Sequence, residues 1–339
     1  MTEQAAITKD IAAPPLRLAC GSPEHFDRTL KECPGRILGV LAYGAIEPAL
    51  SLGDFSYAWV KMPVLGADAW YEIWIAPQPV AAKHDGRIIF SSDGSLLFGS
   101  LVLSEDGNDK LEATTFAAYS DIFDLLDREG YPELLRVWNY FPGINDTGVE
   151  LERYREFNMG RHEAFAAKGR IIGEGSVPAA CALGTQQGSL VICFLAGKMS
   201  GISIENPRQT SAYHYPHNFG PRSPAFSRGM LIDDALFISG TASIVGSQTV
   251  HCGDVYRQLE ETLENLRAVI KQAHRLGFDT SDPHHLYLNV YLRHVEDYPA
   301  VHARLDTEFG AVAHIAYLHA DICRADLLVE VEAFWIPNS

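Results

Sequence analysis

Two glutamates, Glu330 and Glu332, stand two residues apart in an apolar stretch near the end of the chain. Their type and spacing suit acid–base chemistry. In a strand, alternate side chains share a face, which groups Leu328, Glu330, Glu332 and Phe334 against Leu327, Val329, Val331, Ala333 and Trp335. The α-carbons of the two glutamates would then lie ~7 Å apart. Carboxyls that close, among apolar neighbours, push at least one pKa upward. A carboxyl that keeps its proton near neutrality can serve as a general acid. An exposed sheet face with two solvated carboxylates fits the same pattern, and alternation does not rank Glu330 above Glu332.

Three further clusters could hold a ligand. Trp138-Asn139-Tyr140 is followed by a segment carrying Arg153, Arg155 and Arg161, dense for an acidic chain. Arginine forks grip carboxylates bidentately; Glu152 and Glu156 interleave, so a salt-bridged helix face is the plain alternative. Residues 205–224 form a long stretch rich in aromatics and prolines, with Tyr215 at its centre. Long ordered loops of this kind often carry function, and a surface excursion would look the same. The run 237–246 places Gly240 and Thr241 inside a strand pattern. Glycine there marks either close approach of a ligand or a β-bulge.

These residues need elements to position them. Residues 1–35 read as an irregular arm, and 70–75 as a strand. Residues 87–90 and 96–103 read as a hairpin, followed by a helix over 111–127 and an extended run ending at Tyr140. The second half follows the same order: a hairpin across Asp233-Asp234, a long helix after Gly253 stopping near Gly277, and a buried strand over 286–292. It then adds a helix after Asp297 and a last strand over 327–335. The repetition predicts two α+β units spaced by roughly 140–150 residues, divided as 1–165 and 166–339 at the small, glycine-rich segment 164–175. Two unrelated α+β domains are the alternative.

Composition narrows the partners. The formal net charge of −16 disfavours nucleic acid and anionic membrane surfaces. No apolar run approaches the ~18 residues of a membrane span, and the first ten residues have no leader-like pattern. The six cysteines include no CxxC and read as free thiols of a cytoplasmic protein. Gly173-Glu174-Gly175 is not a dinucleotide fingerprint, and no GxxxxGK[ST], HExxH or GxSxG occurs. The histidines, including His214, His217, His284 and His285, lack metal-site spacing, so no metal or cofactor is expected.

The motifs together resemble the chorismatase family. The resemblance spans about residues 85–335. It rests on WNY at 138–140, YREFNMGR at 154–161, ENPRQTSAYHYP at 205–216, SGTASIVG at 239–246 and HADICRADLLVEVEAFW at 319–335. It implies two YjgF/RidA-like units with mixed sheets packed by helices, usually assembled as a homotrimer, acting on chorismate without a cofactor. It implies that Glu330 protonates the methylene carbon of the enolpyruvyl ether. It further implies substrate contacts from Tyr140, Arg155, Arg161, Tyr215, Gly240, Thr241 and Arg293. Hydrolytic relatives carry Ala where this chain has Gly240 and Cys323. The resemblance is therefore to the 3-hydroxybenzoate-forming branch, some of whose members also release 4-hydroxybenzoate, with the Cys323 thiol as proton relay. The alternatives are a hydrolytic chorismatase, a non-catalytic binding member of the fold, and a RidA-like imine deaminase. Against the last, Ile315 stands where those proteins have an arginine.

Overall fold

The computed structural model describes residues 16–47, 55–104, 110–148 and 151–336. One topological unit occurs three times. The first contains β1 (Arg17–Gly21), α1 (Pro23–Glu32), β2 (Ile37–Gly44), β3 (Ser56–Lys61) and β4 (Ala69–Ile75). The second contains β5 (Ala81–Asp85), β6 (Ile88–Ser92), β7 (Leu96–Leu103), α2 (Leu111–Glu129), β8 (Glu133–Pro142), α3 (Arg153–Ala167), β9 (Ala179–Thr185) and β10 (Leu190–Gly197). The third contains β11 (Ile202–Ile204), β12 (Gly229–Ile232), β13 (Ala235–Ala242), α4 (Val255–Arg275), β16 (Leu286–Leu292), α5 (Tyr298–Phe309), β17 (His314–His319) and β19 (Val329–Trp335). A small ribbon, β14 (Ile244–Val245) with β15 (Gln248–Thr249), follows β13, and the short β18 (Asp321–Ile322) adds to the second sheet beside β9.

The strand orders match: β3-β2-β4-β1 in the first sheet, β9-β8-β10-β7-β6 in the second and β17-β16-β19-β13-β12 in the third. In each, the pair at one end is parallel (β2/β3, β8/β9, β16/β17) and the strands beyond it pair antiparallel. The expected α+β class with mixed sheets and helical cover is the one observed. The expected duplication is a threefold repetition instead. Part of the segment expected to be an irregular arm forms β1 and α1, with Pro23 in the first helical turn; residues 1–15 lie outside the described residues. The division at 165/166 falls in the last turn of α3 (Arg153–Ala167), where it would cut β9 and β10 away from their partners β8 and β7. The second sheet runs to Gly197 and the third begins at Ile202.

Each sheet turns one face inward to a shared core. Trp74 of the first packs against Trp138 of the second at 5.4 Å and against Phe237 and Phe334 of the third at 5.7 and 5.6 Å. The outer faces are covered by α1, by α2 with α3, and by α4 with α5. Burying three apolar faces at once is the dominant driving force of such an arrangement. All three inner faces are filled within one chain, so further copies would meet through outer surfaces. Among the described residues no helix is long and apolar enough to cross a membrane.

Two local features place the site. Helix α3 lies so close to α2 that a β-carbon at Gly160 would sit 2.0 Å from the Glu112 carbonyl oxygen. Only glycine permits this approach, and it carries Arg155 and Arg161 toward the gap between the second and third sheets. Strand β13 shifts register against β19 between Ile238 and Thr241. There Ser239 accepts a hydrogen bond from the Ala180 N–H (2.9 Å) and donates to the Ser227 carbonyl (2.6 Å), tying the two sheets together.

Candidate active site

A cavity of about 400 Å³ opens where the second and third sheets meet. Glu330 and Gly240 form its floor from β19 and β13, with Cys181 from β9. Arg155 and Arg161 enter from α3, and Tyr215, Phe219 and Arg228 from the long loop. Cys323 and Arg324 close it from the turn after β18.

The Glu330 side chain is buried, and among the described residues no hydrogen-bond or ion-pair partner meets its carboxyl. Burial pushes its pKa to about 8, partly opposed by the charges of Arg136 and Arg228. At neutral pH it is therefore mostly a carboxylic acid that can donate its proton into the cavity. Gly240 makes room for it: a β-carbon there would lie 1.9 Å from Glu330 Oε1. The register shift expected of a bulge is present, and the group that approaches this glycine is the Glu330 carboxyl. An alanine would displace the carboxyl rather than break the strand.

Glu332, on the same strand face, points into the core. It is fully buried, pairs with the Arg136 guanidinium, and accepts hydrogen bonds from the Tyr291 hydroxyl (2.8 Å) and Asn289 Nδ2 (3.3 Å). The ambiguity that alternation leaves between the two glutamates is resolved by this long-range pairing.

Four arginines line the cavity and give an acidic protein a locally cationic site. Arg161 is buried, donates to Asn158 Oδ1 (2.7 Å), and lies over the Phe157 ring. Arg155 is ion-paired with Glu152 at 3.2 Å and is half-exposed at the rim. Arg228 donates to the Thr210 carbonyl (3.0 Å) and the Tyr215 hydroxyl (2.8 Å). Arg324 donates to the Ser247 carbonyl (2.9 Å) and stacks 4.3 Å from the Phe219 ring centroid. Among the described residues no hydrogen-bond acceptor meets the buried Nε of Arg161 and Arg228 or the buried Nη2 of Arg324. Donors left in that state suit an anionic ligand. Sequence reasoning missed Arg228 and Arg324. Their only signal was a position flanking the aromatic loop and the Cys323 motif.

Cys323 lines the cavity, and burial followed by the nearby Glu330 charge pushes its thiol up to about 12. It is held as S–H, not thiolate. Cys181 is likewise pushed up, to about 11, chiefly by burial.

Three expected substrate contacts lie elsewhere. Tyr140 is in the core, its hydroxyl 2.8 Å from the Tyr43 hydroxyl and 3.4 Å from that of Tyr291. Alternation on β8 puts it on the inner face with Trp138, one layer behind the cavity. The Thr241 hydroxyl donates back to the Ser239 carbonyl (2.7 Å) and does not reach the cavity. Arg293 is fully engaged, donating to the Leu327, Ile322 and Arg324 carbonyls, to Asp321 Oδ1 (2.6 Å) and to Asn145 Oδ1 (3.0 Å). It holds the turn that carries Cys323 and Arg324. Among the described residues no group of three metal-type side chains converges.

Residues 72–196 match the family model described as chorismatase FkbO/Hyg5-like, N-terminal. A chorismatase of Streptomyces rapamycinicus is 39% identical over 280 residues, covering 78% of this chain and 82% of that protein. A 3-hydroxybenzoate synthase of Streptomyces hygroscopicus is 35% identical over 312 residues, covering 87% of this chain and 90% of that protein. A chorismatase crystal structure superposes with a TM-score of 0.82 at 35% identity, covering 95% of this chain and 99% of that one. The inward-facing acid and the ring of arginines are thus set in a fold shared almost end to end with a chorismatase. The chain belongs to the chorismatase family.

Proposed function

We propose that this enzyme converts chorismate to pyruvate and 3-hydroxybenzoate, with 4-hydroxybenzoate as a minor second product. The observation that carries the reading is a buried, unpaired Glu330 facing a cavity lined by arginines. Chorismate brings two carboxylates and an enolpyruvyl ether. Arg155, Arg161, Arg228 and Arg324 hold the carboxylates, and Tyr215 supports Arg228 through its hydroxyl. Glu330 delivers its proton to the methylene carbon, giving an oxocarbenium. The neighbouring ring hydroxyl attacks the ring carbon that bears the ether. The carbon–oxygen bond breaks, its electron pair leaves with pyruvate, and the hydroxyl proton returns to the Glu330 carboxylate. The resulting ring epoxide opens and loses a ring proton, and its oxygen gains one, so no water is consumed. Cys323, held as S–H beside Glu330, is the candidate relay for that last transfer.

The hydrolytic alternative, water attack giving a dihydroxycyclohexadiene carboxylate, is disfavoured by the same features. The absent β-carbon at Gly240 and the thiol at Cys323 are the two positions at which hydrolytic relatives are expected to differ. The test is to incubate purified enzyme with chorismate, couple pyruvate to lactate dehydrogenase, and separate the products by chromatography. Pyruvate in step with 3-hydroxybenzoate supports the reading; keto-acid release from imines without chorismate turnover overturns it. The homotrimer and a cytoplasmic location are part of the same proposal, and sedimentation velocity tests the former.

A further inference from the structure

Behind the cavity lies a buried polar cluster of one guanidinium and two carboxyls, only one of which is paired with it. Arg136 of β8 is fully buried, its guanidinium 5.1 Å from the Trp138 ring centroid and 5.7 Å from that of Phe334. Its ion-pair partner is Glu332 of β19, and among the described residues no other acceptor meets its nitrogens. Asn289 of β16 bridges Glu332 to Glu72 of β4, donating to Glu72 Oε1 at 2.6 Å. Tyr291, also from β16, completes the Glu332 shell. Glu330, two residues before Glu332, faces Arg136 from β8, Cys181 from β9, Cys323 from the turn after β18 and Arg228 from the segment before β12.

A guanidinium in a low-dielectric interior favours the charged form of any carboxyl nearby. For a general acid that is the wrong form. We propose that Glu332 is a positioning residue of the reaction: by neutralising Arg136 it keeps that buried charge from holding Glu330 as a carboxylate. The pairing also explains why a chain that needs one acid spends two glutamates on one strand face. Arg136 does lie within electrostatic reach of the site, since it draws down Glu330, Cys181 and Tyr291 together. Glu72 cannot substitute for Glu332, because burial pushes its own pKa to about 7 and leaves it partly protonated at neutral pH.

The inference rests on Glu330 being the acid, and the test separates the two. The measurement is kcat/KM for chorismate against pH. In the wild type, activity is lost as pH rises through the Glu330 pKa. Glu332→Gln leaves Arg136 uncompensated and moves that alkaline limb down by roughly one unit. Adding Arg136→Met removes the guanidinium that Glu332 would have neutralised and returns the limb to about its wild-type position. A displacement made by one substitution and undone by the second is a signature that mere loss of packing does not produce. A limb unmoved in Glu332→Gln, with Glu330→Gln inactive, overturns the inference and leaves the acid assignment standing. An active Glu330→Gln overturns the acid assignment itself. Should Glu332→Gln fail to fold, Arg136→Met alone decides: it leaves the Glu332 carboxylate without its cation and moves the limb up, and an unmoved limb there overturns the inference.

Discussion

Glu330 and Glu332 share a strand, a face and a chemical type, yet they occupy opposite electrostatic situations. Glu332 is gripped by Arg136, Tyr291 and Asn289 and serves the core. Glu330 is buried, meets no partner among the described residues, and opens on the cavity. A buried carboxyl with a cationic partner keeps its charge, and one without such a partner keeps its proton. The difference shows that pairing, more than burial, separates a structural carboxylate from a candidate acid. It also shows that the pairing is made by a residue from a different sheet.

The comparison can be broken most directly at Glu330. Glu330→Gln keeps the shape and removes the proton, and pyruvate release in the coupled assay should fall by about 10³-fold or more. A retained rate would move the acid to another residue. Next in size are the cavity arginines. Arg161→Met or Arg228→Met should lower kcat/KM by on the order of 10–100-fold, the worth of a charge-assisted hydrogen bond. Wild-type kinetics in either would place the substrate carboxylates elsewhere. Cys323→Ala should keep pyruvate release while shifting the product toward the cyclohexadiene acid, as read by chromatography. An unchanged aromatic product would remove the thiol from the mechanism.

Smaller effects sharpen the comparison from the stability side. The Glu330 pKa is raised on folding, to about 8. The folded state therefore binds a proton that the unfolded state has already released between about pH 4.5 and 8. Stability linked to Glu330 is present below the unfolded pKa and lost as pH rises toward 8. Glu330→Gln removes that loss and should be more stable than wild type at pH 8, by on the order of 2 kcal/mol in chemical denaturation. A variant no more stable than wild type would mean that the folded protein carries Glu330 charged at no cost. Tyr140→Phe should lower stability by about 1 kcal/mol and leave KM for chorismate unchanged. A raised KM would return Tyr140 to the substrate.

Much of this was legible in the chain. Strand alternation in β19 and the amphipathic pattern of α4 are local, and they placed Glu330 and the long helix correctly in their elements. The first unit was not legible, because β2 is buried at every position and shows no alternation. The boundary was misplaced because β9 is small and weakly β-forming, while a glycine-rich connection before it looks like a linker. Arg136 and Arg228 carry no periodic signal, since their roles arise only when the second sheet meets the third. The resemblance supplied Tyr140 and Arg293 as residue types; their contacts in the core and in the Cys323 turn depend on packing that no local pattern encodes.

The proposed mechanism requires Glu330 to be a protonated acid in the resting enzyme at neutral pH. Infrared difference spectroscopy of wild type against Glu330→Gln, titrated with pH, reads that proton directly, because the subtraction cancels the carbonyl band of Glu72. The account predicts a protonated-carboxyl band at pH 6 to 7 that is specific to Glu330 and disappears as pH rises through about 8. A carboxylate band for Glu330 already present at pH 6 would contradict it.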